Sequence, residues 1–375
     1  MILAADALVA PGVEGPGWVQ TDGDRIVAVE PGTPPAGRRI DSGAHHAVLV
    51  PGFVDVHVHG GGGGSFPGGD ALRAVAFHRA HGPTTSLASL VTAPPEELRR
   101  SVDVLAELVV DGEIAGVHLE GPWLAAARCG AHHPAQLRDP DPDELDKLLA
   151  TGVIAMVTLA PERHGALDAI RRVAGSGAVA AVGHTDADFA LTRAAIDAGA
   201  RHGTHLFNAM RPLHHREPGP AVALLDDDRV TVELVTDGLH VHPALWELAV
   251  RSAGAHRVAA VTDAMAGAGM PDGAYRLGHL EVEVVDRVAR LPGGGAIAGS
   301  TATADALFRA IVRHAAVDRP EALRRAVAMT ATTPARALGL TDVGELAVGR
   351  RADLVGLSAE LSVSAVYRAG APVRG

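Results

Sequence analysis

Residues able to hold a metal ion recur at the ends of apolar, strand-length runs in this chain. Asp55-Val56-His57-Val58-His59 closes one run, His118-Leu119-Glu120-Gly121-Pro122 a second, Gly183-His184-Thr185 a third, Thr204-His205 a fourth and Thr262-Asp263 a fifth. Side chains alternate along a strand, so His57 and His59 face the same side and can chelate one divalent ion. Taken singly, each residue has a plainer reading as a buried histidine on a backbone hydrogen bond or a carboxylate capping the next helix. Taken together, His57, His59, Glu120, His184, His205 and Asp263 make a mono- or dinuclear site whose imidazole and carboxylate donors suit zinc or iron. An ion there lowers the pKa of its water and polarises a carbonyl, supplying nucleophile and electrophile together. Asp263 is then expected to act as the general base that takes the proton from water and returns it to a leaving amine.

These groups need a frame that gathers strand ends. From Val48 onward, strand-length runs alternate with helical segments, the signature of βαβ units and a parallel sheet. Eight such runs occur: VLVPGFVDVH, TTSLASLVT, IAGVHLE, VIAMVTLA, AVAAVGH, RHGTHLF, RVTVELVTD and RVAAVTD. Eight closes a barrel, and in a barrel of this kind catalytic groups project from the C-terminal strand ends. The connectors PEELRRSVDVLAELVV and DADFALTRAAIDAG carry apolar residues at i, i+3 and i+4 and read as helices. TADALFRAIVRHAA and PEALRRAVAMTATTPARALG complete the outer ring.

The expected fold is therefore an α/β, (β/α)8 TIM-type barrel over residues 51–340. A small discontinuous β-sandwich domain is expected to form from residues 1–50 and 341–375, both strand-like and broken by turns, with an Asp-Gly hairpin signal in TDGDR. Between the eighth run and the last helices, GAYRLGHLEVEVVDRVARLPGGG alternates like a β-hairpin inserted in the final βα loop.

Composition narrows the class of function. The chain has 375 residues and a formal net charge of −11, which argues against a nucleic-acid or anionic-membrane surface and favours small-molecule chemistry. The single cysteine, Cys129, excludes an intramolecular disulfide, and the start MILAADALVA lacks a basic signal-peptide region, so a cytoplasmic location is the expectation. No run approaches the roughly 18 apolar residues of a membrane span. Lys147, the only lysine, lies in the amphipathic DELDKLLA segment and faces water, which sets Schiff-base chemistry aside.

The segments PGFVDVHVHG, HLEGPWL, GAHHP, VTLAPE, GHTDAD, THLFNAM, REPG, DGLHVHP, VTDA and GSTATAD together resemble the N-acetylglucosamine-6-phosphate deacetylases of the amidohydrolase superfamily, over nearly the whole chain. The resemblance implies deacetylation of an N-acetyl amino-sugar 6-phosphate to the free amine and acetate. It implies that Glu120, His184 and His205 are core metal ligands, that Asp263 is the acid/base, and that His57 with His59 serves a second ion. Many metal amidohydrolases bridge two ions with a carbamylated lysine; here Glu120 is the natural substitute. His132 and His240 match residues placed against the sugar and its acetyl carbonyl, where an imidazole suits a developing oxyanion. Backbone amides around Asn208 and Ala209 match a phosphate cradle. Arg216 matches an arginine that reaches the phosphate of the neighbouring subunit, which implies a homodimer; its plainer reading is a solvated loop arginine.

The glycine run Gly60 to Gly64 and the pair His214-His215 depart from the family pattern. Cys129 reads equally as a loop residue over the site and as a small residue in a turn. Two other readings stand beside the deacetylase: another metal-dependent amidohydrolase acting on a cyclic amide, an acylated amino acid or a nucleobase, and a barrel without metal serving as a scaffold. A hydrolase of neutral substrates has no use for Arg216 and the FNAM turn, whereas a sugar-phosphate enzyme does.

Overall fold

The computed structural model describes residues 1–13, 15–35, 41 and 44–373. Positions 14, 36–40, 42, 43, 374 and 375, which fall within the expected terminal segments, lie outside the described residues.

Eight parallel strands follow one another in chain order around a barrel: Phe53–Asp55, Pro83–Val91, Gly116–Glu120, Ile154–Leu159, Val179–Val182, His202–Gly203, Thr231–Leu234 and Val258–Ala260. Their residues are almost wholly buried, as parallel strands covered on both faces must be. The eighth strand returns to the first just beyond its last ladder pair. Thr262 donates its hydroxyl to Asp55 at 2.5 Å, and the amide of Asp263 donates to the carbonyl of His57 at 2.8 Å. This closure makes the expected barrel, and the last residues of its strands converge at one end.

The connecting helices form where the sequence places their caps and apolar stripes. Pro95–Val110 starts on a proline with Glu96 and Glu97 in its first turn, and buries Leu98, Val102 and Leu105, four and three residues apart. Phe189–Ala198 begins where Asp188 accepts from the amide of Leu191 at 2.7 Å. The segment PEALRRAVAMTATTPARALG is more broken than its pattern, being a helix over Arg319–Val327, a π-helical turn over Ala328–Thr332 and a short helix over Thr333–Ala337.

The two chain ends meet, and the expected sandwich takes the form of one seven-stranded sheet. Its order is Ala371–Pro372, Val363–Arg368, Leu354–Leu357, His45–Pro51, Ile2–Leu8, Gly17–Asp22 and Arg25–Pro31. Among the described residues of this sheet, only Ile2–Leu8 with His45–Pro51 is a parallel pair. The Asp-Gly signal is realised as a tight turn between Asp22 and Arg25, with Gly23 at a φ of 55° that a side chain would resist. The insertion after the eighth strand gains a third strand beyond the expected hairpin: Gly273–Leu277, Leu280–Val285 and Val288–Arg290 pair antiparallel. Its buried Leu277, Val282 and Val284 share an apolar cluster with Met265 and Ala131, so the insertion is anchored beside His132 and Asp263.

Candidate active site

Six donors project from five strand ends into one buried cluster. Glu120 Oε1 lies 3.0 Å from His184 Nε2 and 2.9 Å from His205 Nε2, while those two nitrogens are 3.0 Å apart. Beside them, His57 Nε2 and His59 Nε2 are 3.2 Å apart, and Asp263 Oδ1 lies 3.6 Å from the first and 3.3 Å from the second. Glu120 joins the two groups, because its Oε2 is 3.2 Å from His59 Nε2. His57, His59 and Asp263 form one potential three-donor site, and Glu120, His184 and His205 another.

Whether these residues suit a metal ion follows from their protons. His184 Nδ1 donates to the carbonyl of Arg128 at 2.9 Å, His59 Nδ1 to the carbonyl of Ser89 at 3.1 Å, and His57 Nδ1 to Glu233 at 2.9 Å. In the neutral ring, a proton fixed on Nδ1 leaves a lone pair on Nε2. The Nε2 lone pairs of His57 and His59 therefore confront each other in a buried space, which repels unless a cation or proton lies between them. The donor spacings of 2.9–3.6 Å bracket the edge of about 3.3 Å expected for a tetrahedron of ligands around zinc. The set fits a divalent ion on charge, tautomer and spacing.

Without an ion, the charges in this cluster shift one another strongly. Burial pulls His59 down, but hydrogen bonds to Asp263 and Glu120 outweigh it and lift its pKa to about 9. Burial pushes Asp263 up, yet the His57 and His59 imidazoles bring it down to about 2, so it is a carboxylate at neutral pH. Burial, then His132, lowers His184 to about 4, keeping it neutral and able to ligate.

The strand ends reach these positions through strained backbone. His184, His205 and Asp263 have φ of 46°, 24° and 48°, as do Phe207 at 76° and Ala209 at 50°, all in the left-handed region. The glycine run Gly60 to Gly64 locks two of these ends together. His59 and Gly60 both donate to the carbonyl of Ala264, and Gly62 and Gly63 donate to the carbonyls of Ala268 and Ala266. A Cβ on Gly60 would meet the Gly64 carbonyl oxygen at 2.4 Å, and one on Gly61 the Phe77 ring at 2.5 Å, so the close approach admits glycine alone. His78 donates to the Gly60 carbonyl at 2.8 Å from beneath.

A cavity of about 380 Å³ opens onto the cluster. Of the residues expected to bind substrate, His132, Asn208, Ala209 and His240 line it, and Arg216 does not. His132 is held by Thr92 at 2.9 Å, with its Nε2 3.4 Å from Glu120. His240 is held by Asp237, which accepts from its Nδ1 at 2.7 Å and its amide at 2.9 Å. The amide of Asn208 is already engaged by the carbonyl of His205 at 3.0 Å. Arg216 lies exposed in a hairpin with its guanidinium 2.7 Å from His215. Cys129 is half-buried in the loop whose neighbours Arg128 and Gly130 border the cavity.

Three groups here escaped the reading of the sequence. Glu233 is wholly buried on the seventh strand and contacts His57, His202 and the His205 amide; a lone carboxylate inside the apolar run TVELV was its visible signal. Arg128 brings a cation to the cavity wall, steadied by Asp186 at 2.8 Å. Asp237, the partner of His240, sits three residues before it in DGLH, where spacing alone does not separate a helix cap from a histidine partner.

The comparisons agree with this architecture. A family model described as Amidohydrolase family matches residues 48–373. An N-acetylgalactosamine-6-phosphate deacetylase of Escherichia coli O157:H7 is 39% identical over 86% of this chain and 87% of its own. An N-acetylglucosamine-6-phosphate deacetylase of Vibrio furnissii is 38% identical over 86% and 82%. Among solved structures, an aspartate-to-alanine mutant of N-acetyl-D-glucosamine-6-phosphate deacetylase from Mycobacterium smegmatis, in complex with N-acetyl-D-glucosamine-6-phosphate, is 53% identical with a TM-score of 0.96, covering 100% of this chain and 99% of that one. The chain belongs to the amidohydrolase family and, within it, to the N-acetylglucosamine-6-phosphate deacetylases.

Proposed function

We propose that this protein hydrolyses the acetamide of N-acetyl-D-glucosamine 6-phosphate to D-glucosamine 6-phosphate and acetate. The observation that carries the reading is the gathering of the Nε2 atoms of His57, His59, His184 and His205 around Glu120 and Asp263 at the floor of a cavity that also presents His132, His240 and Asn208. Relatives acting on the galacto and gluco sugars are similarly related to the chain, and the 53% identical neighbour favours gluco.

Glu120, His184 and His205 would hold one divalent ion, zinc or iron, and His57, His59 and Asp263 a second. The chemistry supplied by such ions is polarisation of the amide carbonyl and acidification of the attacking water. Asp263, ionised at neutral pH, accepts the water proton and passes it to the departing nitrogen, so the amine leaves neutral. His132, steadied by Thr92, donates toward the carbonyl oxygen as negative charge grows on it. His240, steadied by Asp237, and the Asn208 side chain hold the sugar so that the amide sits over the cluster.

The phosphate end asks for cations. Arg128 offers one from the cavity wall, and Arg216, outside the cavity of its own subunit, is suited to reach a neighbouring copy's site in a homodimer. In this reading, residues 51–340 form the catalytic barrel, and 1–50 with 341–375 form a supporting domain. No helix among the described residues is long and apolar enough to cross a membrane.

The test is acetate release by zinc- or iron-loaded protein from N-acetylglucosamine 6-phosphate, its galacto epimer and unphosphorylated N-acetylglucosamine. Fast release confined to the phosphorylated sugars, with gluco preferred, is expected. No release from any of them by protein with metal bound would overturn the substrate and point to cyclic amides or acylated amino acids.

A further inference from the structure

We propose that Glu233 is a positioning residue that makes the His57–His59–Asp263 half of the centre a true second metal site, and that it ties this half to the first. The inference rests on the metal-dependent reading above. Glu233 is 0% exposed, and its two oxygens carry three contacts. Oε2 accepts from His57 Nδ1 at 2.9 Å and from the backbone amide of His205 at 2.9 Å, while Oε1 lies 3.0 Å from His202 Nε2. One carboxylate thus touches a donor residue of each half.

The consequence for His57 is chemical. A carboxylate on Nδ1 fixes the tautomer that leaves the Nε2 lone pair pointing at His59, Glu120 and Asp263, and it makes that lone pair more basic. Without it, the buried His57 ring is free to carry its proton on Nε2, where it would hydrogen-bond to Glu120 and close the second site. Glutamine cannot replace Glu233 in full. Its carbonyl oxygen in the Oε2 position still accepts from the His57 N–H and the His205 amide, with its amide nitrogen turned to His202 Nε2, but it is neutral and loses the charge that makes the His57 lone pair basic. The contact to His205 is through the backbone alone, so the Glu120–His184–His205 half retains its donors.

Apo-protein is titrated with zinc under competition from a chromophoric chelator, and bound metal is counted by elemental analysis. Wild type is expected to take two equivalents, and Glu233→Gln to bind the second about 10- to 100-fold more weakly. His57→Gln should lose the same equivalent, and the double variant no more than His57→Gln alone. His202→Gln, which removes only the other Glu233 contact, should keep both equivalents and lose only stability. A second equivalent bound unchanged by folded Glu233→Gln, its equal loss in His202→Gln, or fewer than two equivalents in wild type overturns the inference. Should Glu233→Gln fail to fold, the tautomer of His57 in ¹⁵N-histidine-labelled, zinc-loaded wild type decides: a proton on Nδ1 supports the proposal and one on Nε2 overturns it. None of these readouts uses the sugar phosphate, so an error in the substrate assignment leaves them standing.

Discussion

Thr262 donates its hydroxyl to Asp55 at 2.5 Å across the seam between the eighth and first barrel strands. Asp55 Oδ1 faces the amides of His57 and Thr262 at 3.3 Å each, so this one carboxylate fixes the backbone just ahead of both His57 and Asp263. Burial raises its pKa to about 6, against the hydrogen bonds from Thr262 and His57. Replacing Thr262 with valine keeps the shape but leaves a buried oxygen short of a donor, and is expected to cost about 1–3 kcal/mol. Thr262→Ser should cost much less. Urea unfolding of the two variants checks this; a larger loss in Thr262→Ser than in Thr262→Val would show that the methyl, and not the hydrogen bond, matters at the seam.

His78 gives a pH dependence with a definite sign. Burial lowers its pKa to about 4 despite the Gly60 carbonyl, so it is neutral at pH 7. The unfolded chain takes up this proton near 6.5, before the folded one does. Its contribution to stability is therefore complete above pH 6.5 and lost as the pH falls from 6.5 to 4, by about 3 kcal/mol. His78→Gln retains a donor for Gly60 and removes the titration, so its unfolding midpoint should fall less steeply over that window. Parallel curves for the two proteins would contradict this role.

The glycine run should tolerate no side chain. Gly61→Ala drives a Cβ into Phe77 and the His78 imidazole, at 2.5 and 2.7 Å, under the strand end that carries His59. A loss of about 1–3 kcal/mol is expected, together with weaker zinc binding. A variant of unchanged stability and metal affinity would show that the loop yields freely.

The proposed sharing of Arg216 between subunits would make it separable from Asp263. Arg216→Ala is expected to raise KM for the phosphorylated sugar tenfold or more, about 1.4 kcal/mol, with kcat little changed. Mixing Arg216→Ala with Asp263→Asn under subunit exchange should restore the low KM to a fraction of the sites, because in the proposed dimer a hybrid would contain one site with both groups. No recovery on mixing would place Arg216 outside the neighbouring site.

Much of this was legible in the sequence because burial and alternation write themselves into it. TTSLASLVT and PEELRRSVDVLAELVV became the strand Pro83–Val91 and the helix Pro95–Val110. The sixth run was less faithful. Only His202–Gly203 of RHGTHLF is strand, and His205 and Phe207 turn into left-handed backbone that no periodicity signals. Glu233 stayed hidden for a related reason, since its partners His57 and His205 lie 176 and 28 residues away and only the closed barrel brings them to it. The glycine run needed Phe77 and the Ala264–Ala268 loop in place before its tight packing had a cause.

The most direct test of the central claim is single-turnover acetate release from N-acetylglucosamine 6-phosphate by zinc-loaded wild type and Asp263→Asn, with bound metal counted in both. Wild type should release one acetate per glucosamine 6-phosphate, and Asp263→Asn should be slower by about 10²–10⁴-fold while the Glu120–His184–His205 half keeps its zinc. Asp263→Asn turning over at the wild-type rate would contradict the account.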